Sequence, residues 1–234
     1  MPSTPSVSVP TEAGAMPAHL WLPASGTGPG ILLLQEIFGI SRYVEQRAQD
    51  LADLGYVVLA PEIFWRLGVD RVPEGPAALD DAMAVAGRCD WDAAVADAVA
   101  ALGVLRERPE TDGRAAVVGF CFGGGLGFAV AAHADVDALV AYYGSALPGL
   151  LDLAPRVTAP SLHHFGTADS FIPLEQVAQV EAAVVRDGVE LVTYAGADHA
   201  FDNPDLPFHD PDASVKAWAR TTDFLADRLP VPAR

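Results

Sequence analysis

Cysteine is nearly absent from this chain: 234 residues contain only Cys89 and Cys121. The two form no C-x-x-C pattern and allow one bridge at most, which excludes a disulfide framework and a cysteine-based zinc site. Lysine is rarer still, with Lys216 alone among 14 basic residues that face 31 acidic ones. A formal net charge of −17 leaves too few cations to neutralise a phosphate backbone or an anionic bilayer surface, so neither nucleic acid nor membrane is an expected partner. No apolar run approaches the roughly eighteen residues that cross a bilayer. Residues 1–10 carry Ser and Pro without the basic and apolar regions of a secretory leader, so a loose N-terminus and a cytoplasmic location are expected. Charged residues make up only 19% of the chain and hydrophobic ones 51%, which excludes disorder and supplies one sizeable core, expected as a single domain over 1–234.

What is present alternates. Gly30-Ile31-Leu32-Leu33-Leu34, Tyr56-Val57-Val58-Leu59-Ala60, Ala115-Ala116-Val117-Val118, Ala138-Leu139-Val140-Ala141-Tyr142, Ser161-Leu162-His163-His164-Phe165 and Glu190-Leu191-Val192-Thr193-Tyr194 read as strands, most of them continuous apolar runs of the kind buried on both faces of a parallel sheet. Short antiparallel edge strands are expected at 7–9 and 19–22. Between the runs lie helical patterns. Ser41 caps one whose stripe is Val44, Ala48, Leu51 and Leu54, and residues 91–107 carry Val95, Ala98, Val99 and Leu102 along one side. Further helices are expected at 77–86, after Cys121, from Pro173 to about 186, and at 214–229. Residues 62–76, with Arg66 and Arg71, have no period and form a long connection of the kind that often borders a binding site. The fold class is therefore α/β, a mostly parallel sheet with helices on both faces, and such sheets bind ligands at the carboxyl ends of their strands.

Three polar residues fall directly after such strands. Cys121 stands in Gly119-Phe120-Cys121-Phe122-Gly123, a strand–turn–helix in which small residues on either side relieve the crowding around one projecting side chain. A glycine-rich turn that merely starts a helix reads the same way, so the rest of the chain decides. Asp169 follows the strand at 161–165 and His199 the strand at 190–194. Nucleophile, acid and histidine in that order suit covalent catalysis: His199 takes the thiol proton and later gives it to the leaving group, and Asp169 holds the tautomer. The backbone N–H groups of Phe122 and Ile37 are the expected oxyanion donors. Asp202 is the alternative acid, while Asp198 diverges from its neighbour's ring and is a poor orienter. His163 and His164 face opposite ways along a strand, so no metal site is expected there. Glu36 is a carboxylate that either keeps Cys121 protonated or accepts its proton, depending on where it points.

Taken with Gln35-Glu36-Ile37-Phe38-Gly39, Tyr142-Tyr143-Gly144, Gly166-Thr167-Ala168-Asp169 and Gly196-Ala197-Asp198-His199-Ala200-Phe201, the elbow makes nearly the whole chain resemble the dienelactone hydrolase family. The resemblance implies an α/β-hydrolase fold, no cofactor, no metal, and hydrolysis of a small-molecule lactone or ester. It implies Cys121, Asp169 and His199 as the catalytic set, with Glu36 as the group that activates the thiol. Family members that open dienelactone hold its carboxylate with two arginines, and the corresponding positions here are Asn203 and the neighbourhood of Leu79. Arg66, Arg71, Asn203, Phe38 and Tyr143 are the substrate-binding candidates, and Asp202 with Asp205 makes the rim acidic, which favours neutral substrates. A non-catalytic ligand-binding member, a general carboxylesterase and a thiol redox protein are the alternatives; a monomer or small homo-oligomer is expected.

Overall fold

The computed structural model describes residues 6–73 and 78–232. The chain divides into two compact units, Met1–Ala115 with Val231–Arg234, and Ala116–Pro230, where one domain is expected from length. Residues 1–5 of the stretch expected to be loose, and residues 74–77 of the long connection and of the start of the following helix, lie outside the described residues.

In the first unit the strands β1 (Ser6–Thr11) and β2 (Gly14–Trp21) form an antiparallel hairpin, closed by the Thr11 hydroxyl donating to the Gly14 carbonyl at 2.9 Å. Residues 6–10 are thus paired rather than loose, because each meets a partner across the hairpin. β3 (Gly28–Leu34) and β4 (Val57–Pro61) are buried along their whole length and pair in parallel, and β2 joins β4 antiparallel, giving the order β1-β2-β4-β3. Their unbroken apolar composition is what a strand covered on both faces requires. Helix α1 (Arg42–Asp53) starts where the Ser41 hydroxyl accepts the Val44 N–H, and it buries Val44, Ala48 and Leu51. Leu54, expected on that stripe, is 45% exposed, because the helix has already ended at Asp53 and Leu54 serves as its cap. Helices α2 (Ala78–Ala86) and α3 (Trp91–Glu107) follow, the second capped by Asp90. Within α3 the acidic Asp97 is buried and binds Arg66 and the Trp65 indole, which pins the long connection to the helix.

The second unit begins inside β5 (Thr111–Phe120). Its remaining elements are α4 (Phe122–His133), β6 (Leu139–Tyr142), β7 (Ser161–Gly166), α5 (Leu174–Val184), β8 (Val189–Tyr194) and α6 (Pro211–Arg228). The strands pair in parallel in the order β5-β6-β7-β8, with Val117 opposite Leu139, Leu139 opposite Ser161 and Ser161 opposite Val189. Parallel pairing puts all their carboxyl ends at one edge, so the loops after β5, β7 and β8 open side by side. Among the described residues no helix is long and apolar enough to cross a membrane.

Candidate active site

One residue separates β5 from α4, and it is Cys121, with φ 54° and ψ −113°. That backbone is strained for any residue with a Cβ and persists only where its surroundings over-determine it. They do so here: Cys121 donates its N–H to the Tyr142 carbonyl at 3.0 Å, and its own carbonyl accepts from Gly124 at 3.0 Å and Ser145 at 3.2 Å. Glycine is obligatory around it. A Cβ on Gly119 would stand 2.0 Å from the Gly123 carbonyl oxygen, and one on Gly124 would stand 2.8 Å from the Tyr142 oxygen. The turn therefore lifts the Cys121 sulfur out of the end of the strand while keeping it buried.

The loops after β7 and β8 bring the other two side chains to it. His199 Nε2 lies 3.1 Å from Cys121 Sγ, and its Nδ1 lies 2.8 Å from Asp169 Oδ2. Asp169 is itself fixed, since its Oδ1 accepts the N–H groups of Phe171 and Ile172, each at 2.8 Å. Cys121, His199 and Asp169 thus form one hydrogen-bonded line inside the second unit. Asp202 is engaged elsewhere, accepting the Ser214 hydroxyl at 2.7 Å at the start of α6, and it is Asp169 that faces the ring.

Burial on its own would push the His199 imidazole down. The negative charge of the Cys121 sulfur and the hydrogen bonds to Asp169 and Cys121 outweigh it, so the imidazole is raised to about 10. The proton on His199 is accordingly retained through neutral pH and lost only as the pH climbs toward that value. His199 ring signals followed by NMR are expected to titrate well above pH 8 in the wild type, and Cys121→Ala should bring the midpoint down, because the sulfur is the largest of the raising influences. An unmoved midpoint in the variant would mean that the sulfur carries no charge in the pair.

Aromatic rings flank the His199 imidazole. Tyr143, whose φ is 36°, has its ring 5.1 Å from the His199 ring, and Phe171 stands 5.0 Å from it on the loop after Asp169. Phe171 is 44% exposed and meets Phe208 edge-on, a wall absent from the sequence-based expectations. Its signal was an aromatic residue in the short loop between Asp169 and Pro173. Asn203 is buried and turned inward on its own loop, where its side-chain oxygen accepts the Asp205 N–H. His163 meets the Ser161 hydroxyl and His164 meets the hydroxyls of Tyr194 and Thr221, and burial pushes them down to about 4 and about 3, so both are neutral.

In the first unit, Glu36 is buried just beyond the end of β3, followed by the buried Ile37 and Phe38. The Gln35 side chain spans this turn, donating to the Glu36 carbonyl and accepting the Ile63 N–H. Arg66 and Arg71 are both committed inside this unit: Arg66 is bound through two nitrogens to Asp97, and Arg71 to Glu45 at 2.7 Å and the Ile40 carbonyl. Both cysteines are free, and burial together with Asp90 and Asp97 pushes the Cys89 thiol up to about 11, which makes it a weak nucleophile.

Residues 16–229 match the dienelactone hydrolase family. Among curated proteins, the chain is 32% identical to a carboxymethylenebutenolidase of Pseudomonas sp. (strain P51) over 231 residues, covering 97% of each chain. It is 31% identical over 217 residues to carboxymethylenebutenolidase 1 of Cupriavidus pinatubonensis (strain JMP 134 / LMG 1197), covering 92% of this chain and 93% of that one. Among solved structures, a candidate dienelactone hydrolase from Klebsiella pneumoniae subsp. pneumoniae MGH 78578 superposes with a TM-score of 0.82 at 27% identity, covering 96% of this chain and 98% of the other.

Proposed function

Because this chain belongs to the dienelactone hydrolase family and is an enzyme acting on carboxylic esters or lactones, we propose that it does so through an acyl-enzyme on Cys121. The observation that carries this reading is the unbroken line from Cys121 Sγ through His199 to Asp169. Sulfur attacks the carbonyl carbon while its proton resides on His199, and the carbonyl π electrons move onto oxygen to give a tetrahedral oxyanion. Phe122 at the start of α4 offers a backbone N–H suited to that oxygen, and the family resemblance assigns the second donor to Ile37. Collapse expels the alcohol oxygen, which takes the His199 proton, and leaves a thioester. His199, now neutral, removes a proton from water, whose oxygen adds to the thioester carbonyl. The second collapse expels the Cys121 sulfur and releases the carboxylic acid. Asp169 keeps Nε2 turned toward the sulfur throughout and stabilises the imidazolium. Control of the thiol proton is assigned to Glu36 by the resemblance alone.

For substrate, the reading favours neutral esters and lactones. Arg66 and Arg71 are already paired with Asp97 and Glu45, and the resemblance puts the uncharged Asn203 at one of the family's two carboxylate-binding arginine positions. An anionic substrate would have to compete with those carboxylates. Initial rates should therefore be higher on a neutral lactone and on 4-nitrophenyl acetate than on dienelactone, and acid quenching during ester turnover should leave the acyl mass on the peptide containing Cys121. Faster dienelactone opening would refute the neutral-substrate reading, and acyl mass on another peptide would refute the nucleophile.

A further inference from the structure

Asp198 stands beside the base, yet its carboxylate does not meet the imidazole, whose Nδ1 faces Asp169. One oxygen, Oδ1, instead accepts two backbone N–H groups at 2.7 Å each: that of His199 itself and that of Ser170, the residue after Asp169. Asp169 divides its oxygens in a complementary way, with Oδ1 on the N–H groups of Phe171 and Ile172 and Oδ2 on the His199 ring. Three consecutive N–H groups of the acid loop are thus held by two carboxylates. Each carboxylate also holds His199, one by its backbone and one by its ring.

The two loops are joined nearer the sheet as well. Ala168 donates to the Ala197 carbonyl at 3.0 Å, Gly196 donates to the Thr167 hydroxyl at 2.9 Å, and a Cβ on Gly166 would stand 2.2 Å from the Ala197 oxygen. Asp198 extends this seam from the strand ends to the catalytic pair. Beyond it the chain is under strain: Ala200, directly after the base, has φ 53°, a conformation that surrounding bonds must hold. Asn203 holds it from one side by donating to the Ala200 carbonyl at 2.9 Å, and Asp198 holds it from the other through the His199 N–H.

We propose that Asp198 is a positioning residue for hydrolysis, tying the backbone of His199 to the Asp169 loop so that the imidazole stays aligned between Asp169 and Cys121. Hydrogen bonds to an ionised acceptor are about twice as strong as those between neutral groups, which suits a tie that must hold a strained segment. The carboxylate also adds a second carboxylate charge near the imidazolium, beside that of Asp169. This inference rests on His199 and Asp169 being base and orienter.

The test compares Asp198→Ala and Asp198→Asn with the wild type on 4-nitrophenyl acetate, recording kcat, KM and the His199 titration by NMR. A misplacement of about 1 Å costs up to about a hundredfold in rate, so Asp198→Ala should lose about tenfold to a hundredfold in kcat. KM should stay within about threefold, because no substrate contact is removed. Asp198→Asn keeps an acceptor at the same place and should recover most of kcat. Both variants should lower the His199 titration midpoint, since both remove the charge. A merely structural role would lower the melting temperature and leave kcat below melting and the titration unmoved, and that result overturns the proposal. So does a kcat loss that Asn does not relieve. If Asp198→Ala does not fold, Asp198→Asn decides, since its titration shift is independent of yield. Cys121→Ala on the same substrate is run alongside. Turnover surviving there would remove the parent assignment, a failure distinct from wild-type behaviour in the Asp198 variants.

Discussion

Cys121→Ala should lower kcat by about 10⁴-fold or more on any ester the wild type hydrolyses, with far-ultraviolet circular dichroism and melting temperature nearly unchanged. The size follows from the role, since without sulfur there is no acyl-enzyme and only water held near oxyanion donors can react. The small structural effect follows from the elbow. Alanine has the same Cβ as cysteine, so it adds no strain at φ 54°, and the backbone bonds of this residue with Tyr142, Gly124 and Ser145 survive. Only the Sγ contacts with the Ser145 hydroxyl at 4.0 Å and with His199 are lost. Steady-state rates at substrate saturation, with the variant purified from a host lacking background esterase, measure the effect. Wild-type turnover in the variant would dismiss Cys121 as nucleophile.

Asp169→Asn should cost about a thousandfold in kcat, and Asp202→Asn less than about tenfold. In the first variant the Phe171 and Ile172 N–H groups dictate the amide's orientation, because both must be met by its oxygen. The NH₂ group is then forced into the place of Oδ2 and donates toward His199 Nδ1. Nδ1 must accept, the ring proton moves to Nε2, and the imidazole can no longer take a proton from Cys121. Asp202 meets the Ser214 hydroxyl, so its amide variant disturbs the start of α6 rather than the base. Parallel kcat measurements on one ester rank the two variants. The reverse order would transfer the orienting role to Asp202.

Local chemistry was enough to locate much of this molecule. Continuous apolar runs identified β3 to β6, because a strand covered on both faces needs no polar alternation. Ser41 marked the start of α1 through its cap, and the glycines around Cys121 marked the elbow, since no side chain fits against the Gly123 carbonyl. That Cys121, Asp169 and His199 meet was legible for a related reason: each lies on the turn or loop that follows a strand, and parallel strands deliver their carboxyl ends to one edge.

Pairings across long separations were not legible. Arg66 looked available on an aperiodic connection, yet it is bound by Asp97, 31 residues away on a helix whose stripe showed only its apolar members. Leu54 matched the spacing of α1 but fell past its last turn. Asp198 was predicted to be a poor orienter of the ring, and its carboxylate instead binds two backbone amides, which carry no residue-specific signal for any pattern to detect. The sequence by itself thus determined the α/β class, the elbow and the order of the three catalytic candidates, because strands, caps and tight turns are specified by neighbours in the chain. Only the tertiary structure decided that Asp169 rather than Asp202 faces the histidine, that Arg66 and Arg71 are already paired, and that Asp198 grips both loops. Those outcomes depend on where loops and side chains distant in sequence are packed, to a fraction of a hydrogen-bond length.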